Sequence, residues 1–246
     1  MVWEQMQRTL SIEQIEAFYH NEFVDDQVRD FVALTSGIPD RSLVVDVGGG
    51  CGFFAKQLSE QAAMRVCVID SDTKSIDACE AAGIDARLDD ALAPHIKGDE
   101  NTACFNLILH HLVGGSEAAT INLQKQALSV WRDQVKTVFV NEYIYESYVG
   151  NLSGWLIFQI TSSKILSSLG KLVARIVPAF RANTFGIGVR FRAHDEWIEL
   201  FSSAGFSTLD SRIGDEEKVA LPLRLLLIKC IRRDSYLLVP NRRPGG

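Results

Sequence analysis

Residues 43–54 decide the fold of this chain, and they read LVVDVGGGCGFF. A run rich in β-branched residues carries one acid, Asp46, and then meets glycines at the alternate positions Gly48, Gly50 and Gly52. An apolar segment compatible with a helix follows at once. A strand that passes through a glycine turn into a helix predicts the first βα unit of a nucleotide-binding α/β sheet. Glycine suits such a turn because it tolerates special φ/ψ values and lets a ligand lie against the backbone.

The spacing of the glycines indicates the kind of nucleotide. The dinucleotide fingerprint is G-x-G-x-x-G, and the position of its third glycine is Phe53 in this chain. Asp46 would repel a pyrophosphate but suits a cationic ligand that has an amino group. The stretch from Val45 to Gly52 resembles the first motif of class I S-adenosylmethionine-dependent methyltransferases. Asp46 and the three alternate glycines are therefore candidate cofactor-binding residues. A structural glycine turn in another α/β protein is the alternative.

Acidic residues after the second and third predicted strands extend this resemblance. Asp70 ends the second strand, about twenty positions after the glycine turn, where a carboxylate can accept hydrogen bonds from both ribose hydroxyls. Asp89 and Asp90 end the third strand, at a position resembling the family's adenine-binding carboxylate. Asp90 aligns better because it precedes the small residue Ala91. Taken alone, Asp70 could equally be a turn residue, and Asp89 and Asp90 could be solvated loop acids.

His110 and His111 resemble the histidine-containing end of the family's fourth motif. Side chains alternate across a strand, so at most one of the two is expected to face the cofactor crevice. Histidine titrates near working pH and could take a proton from an acceptor. The alternative role is to line the cofactor pocket. The family usually carries Asp where this chain has Asn106, a departure that we expect to affect the sheet end rather than the chemistry.

Other candidates for acceptor binding lie on the fifth strand and in the N-terminal helix. Glu142 and Tyr143 end the fifth predicted strand at the same edge of the sheet, where ligands bind in open α/β folds. Alternatively, both residues could have only a structural role, buried at the end of the sheet. Tyr19 and His20 resemble a lid-helix position in related enzymes, although a surface helix would contain such residues anyway.

The remaining pattern predicts an α/β fold with regular alternation of strands and helices. Regular alternation implies right-handed crossovers and a mostly parallel sheet. The resemblance implies a Rossmann-like, seven-stranded sheet of order 3-2-1-4-5-7-6 with the last strand antiparallel. We predict strands near 43–47, 66–70, 85–88, 105–110, 136–142, 206–213 and 223–232, and helices near 52–62, 73–82, 116–132 and 195–205. The predicted parts are an N-terminal helical segment (1–40), a cofactor-binding core (41–145), a lid (146–193) and C-terminal elements completing the sheet (194–240).

Composition excludes several classes of protein. The chain has 246 residues and a net charge of −6, which argues against a non-specific nucleic-acid binder. Its five cysteines include no C-x-x-C pair and no zinc spacing, so we expect no metal site and a reducing, cytoplasmic compartment. No window is long and apolar enough to predict a transmembrane segment.

The segment from Ser147 to His194 contains no Asp or Glu but six Lys and Arg residues. Apolar residues within it follow helical spacing and predict a basic amphipathic helix over roughly 165–180. Three interpretations stay open. The segment could cap the active site or a homodimer partner. Arg190 or Arg192 could grip an anionic group on the acceptor. Residues 155–180 could contact an anionic membrane surface or an acidic carrier protein.

Together these patterns predict an enzyme that moves a methyl group from S-adenosyl-L-methionine to a small-molecule acceptor, most simply at oxygen or nitrogen. In-line displacement needs alignment, a dry pocket and an acceptor lone pair. A sulfur acceptor held by the lid arginines is an alternative within the same class. An NAD(P)-dependent oxidoreductase and an inactive cofactor-binding scaffold are alternatives from other classes.

Overall fold

A computed structural model describes residues 21–39, 43–176 and 185–241. The predicted candidates Tyr19 and His20 lie outside the described residues. The described helices are α1 (Asn21–Leu34), α2 (Phe53–Ala62), α3 (Thr73–Ala81), α4 (Glu117–Ser129), α5 (Leu152–Ser162), α6 (Lys164–Ile176), α7 (His194–Ser203) and α8 (Leu221–Arg224). The strands are β1 (Leu43–Val47), β2 (Arg65–Asp70), β3 (Asp85–Leu88), β4 (Thr102–Asn106), β5 (Thr137–Ser147), β6 (Phe206–Arg212) and β7 (Ile228–Pro240).

The seven strands form one sheet of order β3-β2-β1-β4-β5-β7-β6. Strands β1 to β5 pair in parallel, and β7 runs antiparallel to both of its neighbours. The predicted Rossmann-like architecture, including the strand order, is confirmed. The carboxyl ends of β1, β2, β4 and β5 consequently meet at one edge of the sheet.

Helices cover both faces of the sheet, and alternate strand residues feed two separate cores. Val45 and Val47 of β1 pack on one face, in the core that includes Trp131 and Trp197. Val44 packs on the opposite face with Phe31 and the aromatic residues of α2 and β5. This two-residue period is the one expected of strands buried on both sides.

Strand β4 was predicted at 105–110, and this boundary is wrong. The strand ends at Asn106, Leu107 takes a positive φ of 55°, and residues 109–111 form a 3-10 turn. The apolar run after Asn106 suggested a longer strand. Its buried members Leu109 and Leu112 instead enter the core with a spacing of three residues, which fits a helical turn.

Strand β7 was predicted at 223–232 and actually spans Ile228–Pro240. The short helix α8 precedes it, and Pro222 suits the first turn of that helix. The charged residues Arg232 and Asp234 obscured the strand in the sequence. They lie inside it because they pair with each other, with Arg232 Nε 2.9 Å from Asp234 Oδ1. Strand β5 is also longer than predicted, since it follows β7 as far as Ser147.

Candidate functional site

The glycine turn after β1 requires glycine at its alternate positions. Gly48, Gly50 and Gly52 have φ values of 66°, 54° and 76°, which other residues adopt only with strain. The turn is tied to β2, because Gly48 N donates to Ile69 O at 2.7 Å. A Cβ on Gly48 would lie 1.8 Å from Ile108 Cδ1, whereas one on Gly50 would meet no described atom within 4 Å. Open space therefore lies beside Gly50, where a ligand could approach the backbone.

Alanine substitutions should separate these two glycines. Gly50→Ala should cost the fold only the left-handed backbone strain, about 1–2 kcal/mol of unfolding free energy. Gly48→Ala should add the clash with Ile108, about 1–3 kcal/mol more. Urea unfolding of both variants measures the difference. Equal losses would contradict the packing of Ile108 over Gly48.

Asp46 lies buried beneath the turn with half of its carboxylate unused. Its Oδ1 accepts a hydrogen bond from Asn106 Nδ2 at 3.0 Å. Its Oδ2 and the Oδ1 of Asn106 are buried and have no hydrogen-bond partner among the described residues. Burial raises the pKa of Asp46 to about 7, the amide of Asn106 opposes that rise, and nearby Asp70 adds to it. Two buried acceptors without donors fit a ligand that brings several N–H groups.

Asp70 joins the turn to the end of β2. Its Oδ2 accepts from Gly50 N at 3.0 Å, and its Oδ1 accepts from Asp72 N at 2.9 Å. Burial raises the pKa of Asp70, while these backbone hydrogen bonds lower it. Asp70 therefore stabilises the glycine turn itself, in addition to any contact that it makes with a ligand.

The two acids after β3 differ in their surroundings. Asp89 N donates to Asp70 O at 2.9 Å, so this loop lies beside the end of β2. The Asp89 side chain accepts from His95 N at 2.8 Å and pairs with Arg87 at 3.4 Å. Asp90 is exposed, and its Oδ1 accepts from Leu92 N at 2.8 Å. Asp90 thus keeps more of its carboxylate accessible than Asp89 does.

Glu142 and His110 form a buried pair at the ends of β5 and β4. Oε1 of Glu142 accepts from Leu109 N at 2.6 Å, and its Oε2 lies 2.7 Å from His110 Nδ1. A carboxylate can only accept, so Nδ1 of His110 carries the proton and Nε2 is left as the basic nitrogen. The His111 ring lies 4.1 Å from that of His110 by centroids. Burial lowers the pKa of His111 well below its usual range, and His110 adds to the effect.

Aromatic side chains surround this pair, and two of them were not singled out from the sequence. Phe191 stacks on His110 at 4.9 Å and on Tyr145 at 4.2 Å, centroid to centroid. Tyr143 meets the His110 ring edge-on at 5.9 Å. Phe191 belongs to the segment between α6 and α7, whose approach to β5 the sequence pattern did not reveal. Flat apolar walls beside a histidine suit an aromatic ligand.

Arg190 and Arg192 are buried and paired within the chain. Arg190 Nε lies 2.9 Å from Glu117 Oε2, and Arg190 Nη2 lies 2.9 Å from Glu196 Oε1. Arg192 donates to Gln124 Oε1 at 2.7 Å and pairs with Glu117 at 3.1 Å. Desolvation and the charge of Arg190 lower the pKa of Arg192. Since these partners occupy both guanidinium groups, we do not assign either arginine to acceptor binding.

The last residue of β4 and the short segment after it connect the cofactor-side and acceptor-side candidates. Asn106 bonds to Asp46, Ile108 covers Gly48, and His110 bonds to Glu142. The structure therefore brings the glycine turn, Asp46, Asp70 and the His110–Glu142 pair to one edge of the sheet. Among the side chains described, no group of three or more His, Cys, Asp and Glu could hold a metal ion.

No protein-family model and no curated protein sequence matches this chain. Solved structures do match. An S-adenosylmethionine-dependent methyltransferase from Clostridium acetobutylicum ATCC 824 shares 9% identity at a TM-score of 0.58, over 94% of this chain and 96% of that one. The [4+2]-cyclase SpnF shares 14% sequence identity at a TM-score of 0.56, over 99% of this chain and 87% of that one. The mitomycin 7-O-methyltransferase MmcR shares 11% sequence identity at a TM-score of 0.54, over 89% of this chain but only 53% of that one.

These matches define the class of fold. The chain has the Rossmann-like fold of class I S-adenosylmethionine-dependent methyltransferases, and several of its structural neighbours are named for small-molecule substrates. At such low identity the likeness concerns the fold alone, and the cyclase among the neighbours illustrates that one fold carries more than one chemistry.

Proposed function

We propose that this protein is an enzyme that transfers a methyl group from S-adenosyl-L-methionine to oxygen or nitrogen of a small-molecule acceptor. The observation that carries the proposal is the buried Asp46 carboxylate, whose Oδ2 has no donor among the described side chains and backbone groups. It lies beside a glycine turn that leaves open space at Gly50. Because this crevice offers carboxylate acceptors that lack donors, a ligand with an ammonium group and a nucleoside fits it better than an anionic pyrophosphate does.

The proposed cofactor contacts follow from the side-chain oxygens that can still accept a hydrogen bond at each position. Asp46 and the amide oxygen of Asn106 would accept from the ammonium group of the cofactor. Each Asp70 oxygen has one backbone donor, Gly50 N or Asp72 N, so each keeps a lone pair that would accept from a ribose hydroxyl. The backbone at Gly50 would lie against the ligand. Asp90 would accept from the adenine amine, because Asp89 is already held by His95 N and Arg87.

The bound cofactor supplies an activated methyl group on a sulfonium ion. The protein's own residues must then orient the acceptor, exclude water and remove a proton. Glu142 fixes the His110 ring with Nδ1 protonated, which leaves Nε2 to take the proton of a hydroxyl or ammonium group. A thioether or thiolate acceptor needs no base, so the pair favours oxygen or nitrogen. The rings of Tyr143, Tyr145 and Phe191 favour a flat, aromatic acceptor.

Two measurements test this proposal. Calorimetry should detect binding of S-adenosylhomocysteine and none of NADH; binding of NADH alone would overturn the assignment in favour of an oxidoreductase. Radiolabelled S-adenosylmethionine should then label at least one member of a panel of phenols and aromatic amines. Binding of the cofactor product without transfer to any oxygen, nitrogen or sulfur acceptor would favour a scaffold, or a reaction of another kind such as that named for SpnF.

Asp70→Ala tests the cofactor site directly. We expect the affinity for S-adenosylhomocysteine to fall tenfold or more, about 1.5–3 kcal/mol, through lost hydrogen bonds and a loosened Gly50 turn. Asp77→Ala, at an exposed position of α3, is the matched control and should leave the dissociation constant unchanged. Calorimetry measures both. Equal affinity in wild type and Asp70→Ala would remove Asp70 from the site.

A further inference from the structure

Helix α6 packs against the protein through its small residues. Ser167 is buried, and its hydroxyl donates to the Ile160 carbonyl at 2.8 Å. A Cβ on Gly170 would lie 2.5 Å from a ring carbon of Phe185, so the helix approaches its neighbours closely there. The inward contacts described for α6 are therefore made by small residues.

The large apolar residues of α6 point away from the protein. Ile165, Leu169 and Leu172 are 82%, 56% and 53% exposed, and their i, i+4, i+7 spacing puts them on one face. A surface helix of a globular protein normally turns such a face to the core. Exposed apolar side chains continue on α5 and the turn before it, at Tyr148, Val149, Leu152 and Trp155. Exposed apolar residues in this number, on two consecutive helices, are typical of an interaction site.

Positive charge runs along the same helix. Lys164 and Arg175 are both exposed, and their i, i+11 spacing places them on one side of α6, next to the exposed apolar face. No acidic residue occurs between 147 and 193, although the whole chain has a net charge of −6. Arg190 and Arg192 do not contribute to this surface, because they are paired internally with Glu117.

We propose that the exposed face of α6, with the adjoining part of α5, binds the surface of an anionic phospholipid membrane. An apolar helix face bordered by Lys and Arg is the composition that lies in a lipid interface and gains from anionic headgroups. A second copy of this chain fits less well. Packing two α6 faces together would bring their cationic sides close, with no acidic residue in either segment to pair with them. The described helices include none long and apolar enough to cross a membrane, so the proposed contact is peripheral.

Sedimentation with lipid vesicles tests this inference on the whole protein. We expect binding to vesicles that contain phosphatidylserine, little binding to pure phosphatidylcholine, and weaker binding at high salt, since salt screens exposed charges. Leu169→Glu and Leu172→Glu should each lower the partition coefficient roughly tenfold or more. The double variant Lys164→Glu/Arg175→Glu should lower it by more than about tenfold. Leu209→Glu is the matched control, at a leucine of β6 that is 58% exposed, and should bind as wild type does.

Each contrary result would overturn the inference. These are no binding to anionic vesicles, equal binding to neutral ones, or equal losses in Leu169→Glu and Leu209→Glu. A concentration-dependent dimer in sedimentation velocity, abolished by Leu169→Glu, would assign the surface to a second copy instead. Vesicle binding requires no cofactor, so failure here leaves the proposed methyl transfer untouched. Circular dichroism and urea unfolding, which require no ligand, establish that each variant is folded.

Discussion

Glu142→Gln should lower kcat about 10²–10⁴-fold, the usual range for loss of a general base or of the group that fixes its tautomer. The carboxylate of Glu142 accepts from His110 Nδ1 at 2.7 Å and from Leu109 N at 2.6 Å. A glutamine can keep the bond from Leu109 N through its one oxygen. Its amide NH₂ then faces His110, which must move its proton to Nε2 and so lose the basic nitrogen.

The affinity for cofactor separates this role from a structural one. Glu142→Gln should bind S-adenosylhomocysteine as wild type does, because Glu142 does not contact the glycine turn. Glu146→Gln is the control: this residue lies four positions further along β5, is partly exposed, and pairs with Arg232 at 3.1 Å. It should retain kcat. Equal loss of activity in both variants, or loss of cofactor binding in Glu142→Gln, would contradict a positioning role for Glu142.

His111 is the other candidate for the base, and its lowered pKa also keeps it neutral near pH 7. The rings of His110 and His111 lie side by side in the 3-10 turn, so both remain close to the sheet edge. Only His110 has Glu142 to fix its tautomer. If His110 acts, Glu142→Gln lowers kcat; if His111 acts alone, the substitution leaves kcat unchanged.

The sequence predicted the fold well because its decisive features are local. The glycine turn, the apolar strands and the acids at strand ends can each be recognised within a short stretch of sequence. These features carry the resemblance to the methyltransferase family, and the resemblance implied the strand order that is observed. The predicted boundaries of β7 and β4 were wrong, because charged residues lie inside β7 and apolar residues continue past the end of β4. Arg232 and Asp234 lie inside β7 because they neutralise each other, and Leu109 and Leu112 enter the core from a turn rather than from a strand.

The candidate site was harder to predict because its contacts join distant segments. Asn106 was expected to matter only for the sheet end, yet its amide donates to Asp46, 60 positions away. Phe191 lies within the acid-free segment, whose sequence pattern gave no indication of a contact with the His110 ring. Arg190 and Arg192 looked available in sequence because Glu117, their shared partner, lies more than 70 residues earlier.

Asp46→Asn should stabilise the protein while weakening its cofactor binding. The pKa of Asp46 is about 7 when folded and 3.8 ordinarily, because burial disfavours the charged form. The folded state therefore holds a proton that the unfolded chain releases, and the stability of the wild type falls as pH rises from about 4 to 7. Asparagine cannot ionise and avoids this loss, so the unfolding free energy at pH 7.5 should rise by about 2–4 kcal/mol. Urea unfolding at pH 5 and pH 7.5 measures the effect, which should be less than about half as large at the lower pH.

The same charge that destabilises the fold is the one that we expect to attract the ammonium group of the cofactor. Wild-type affinity for S-adenosylhomocysteine should therefore rise with pH through about 7, whereas Asp46→Asn should bind more than tenfold more weakly, about 1.5–3 kcal/mol, for a lost hydrogen bond to a charged group. Its affinity should also vary less between pH 6 and 8. Asp77→Asn, on the exposed side of α3, should change neither property. If Asp46→Asn is more stable but binds S-adenosylhomocysteine with wild-type affinity, the Asp46 carboxylate has no role in cofactor binding.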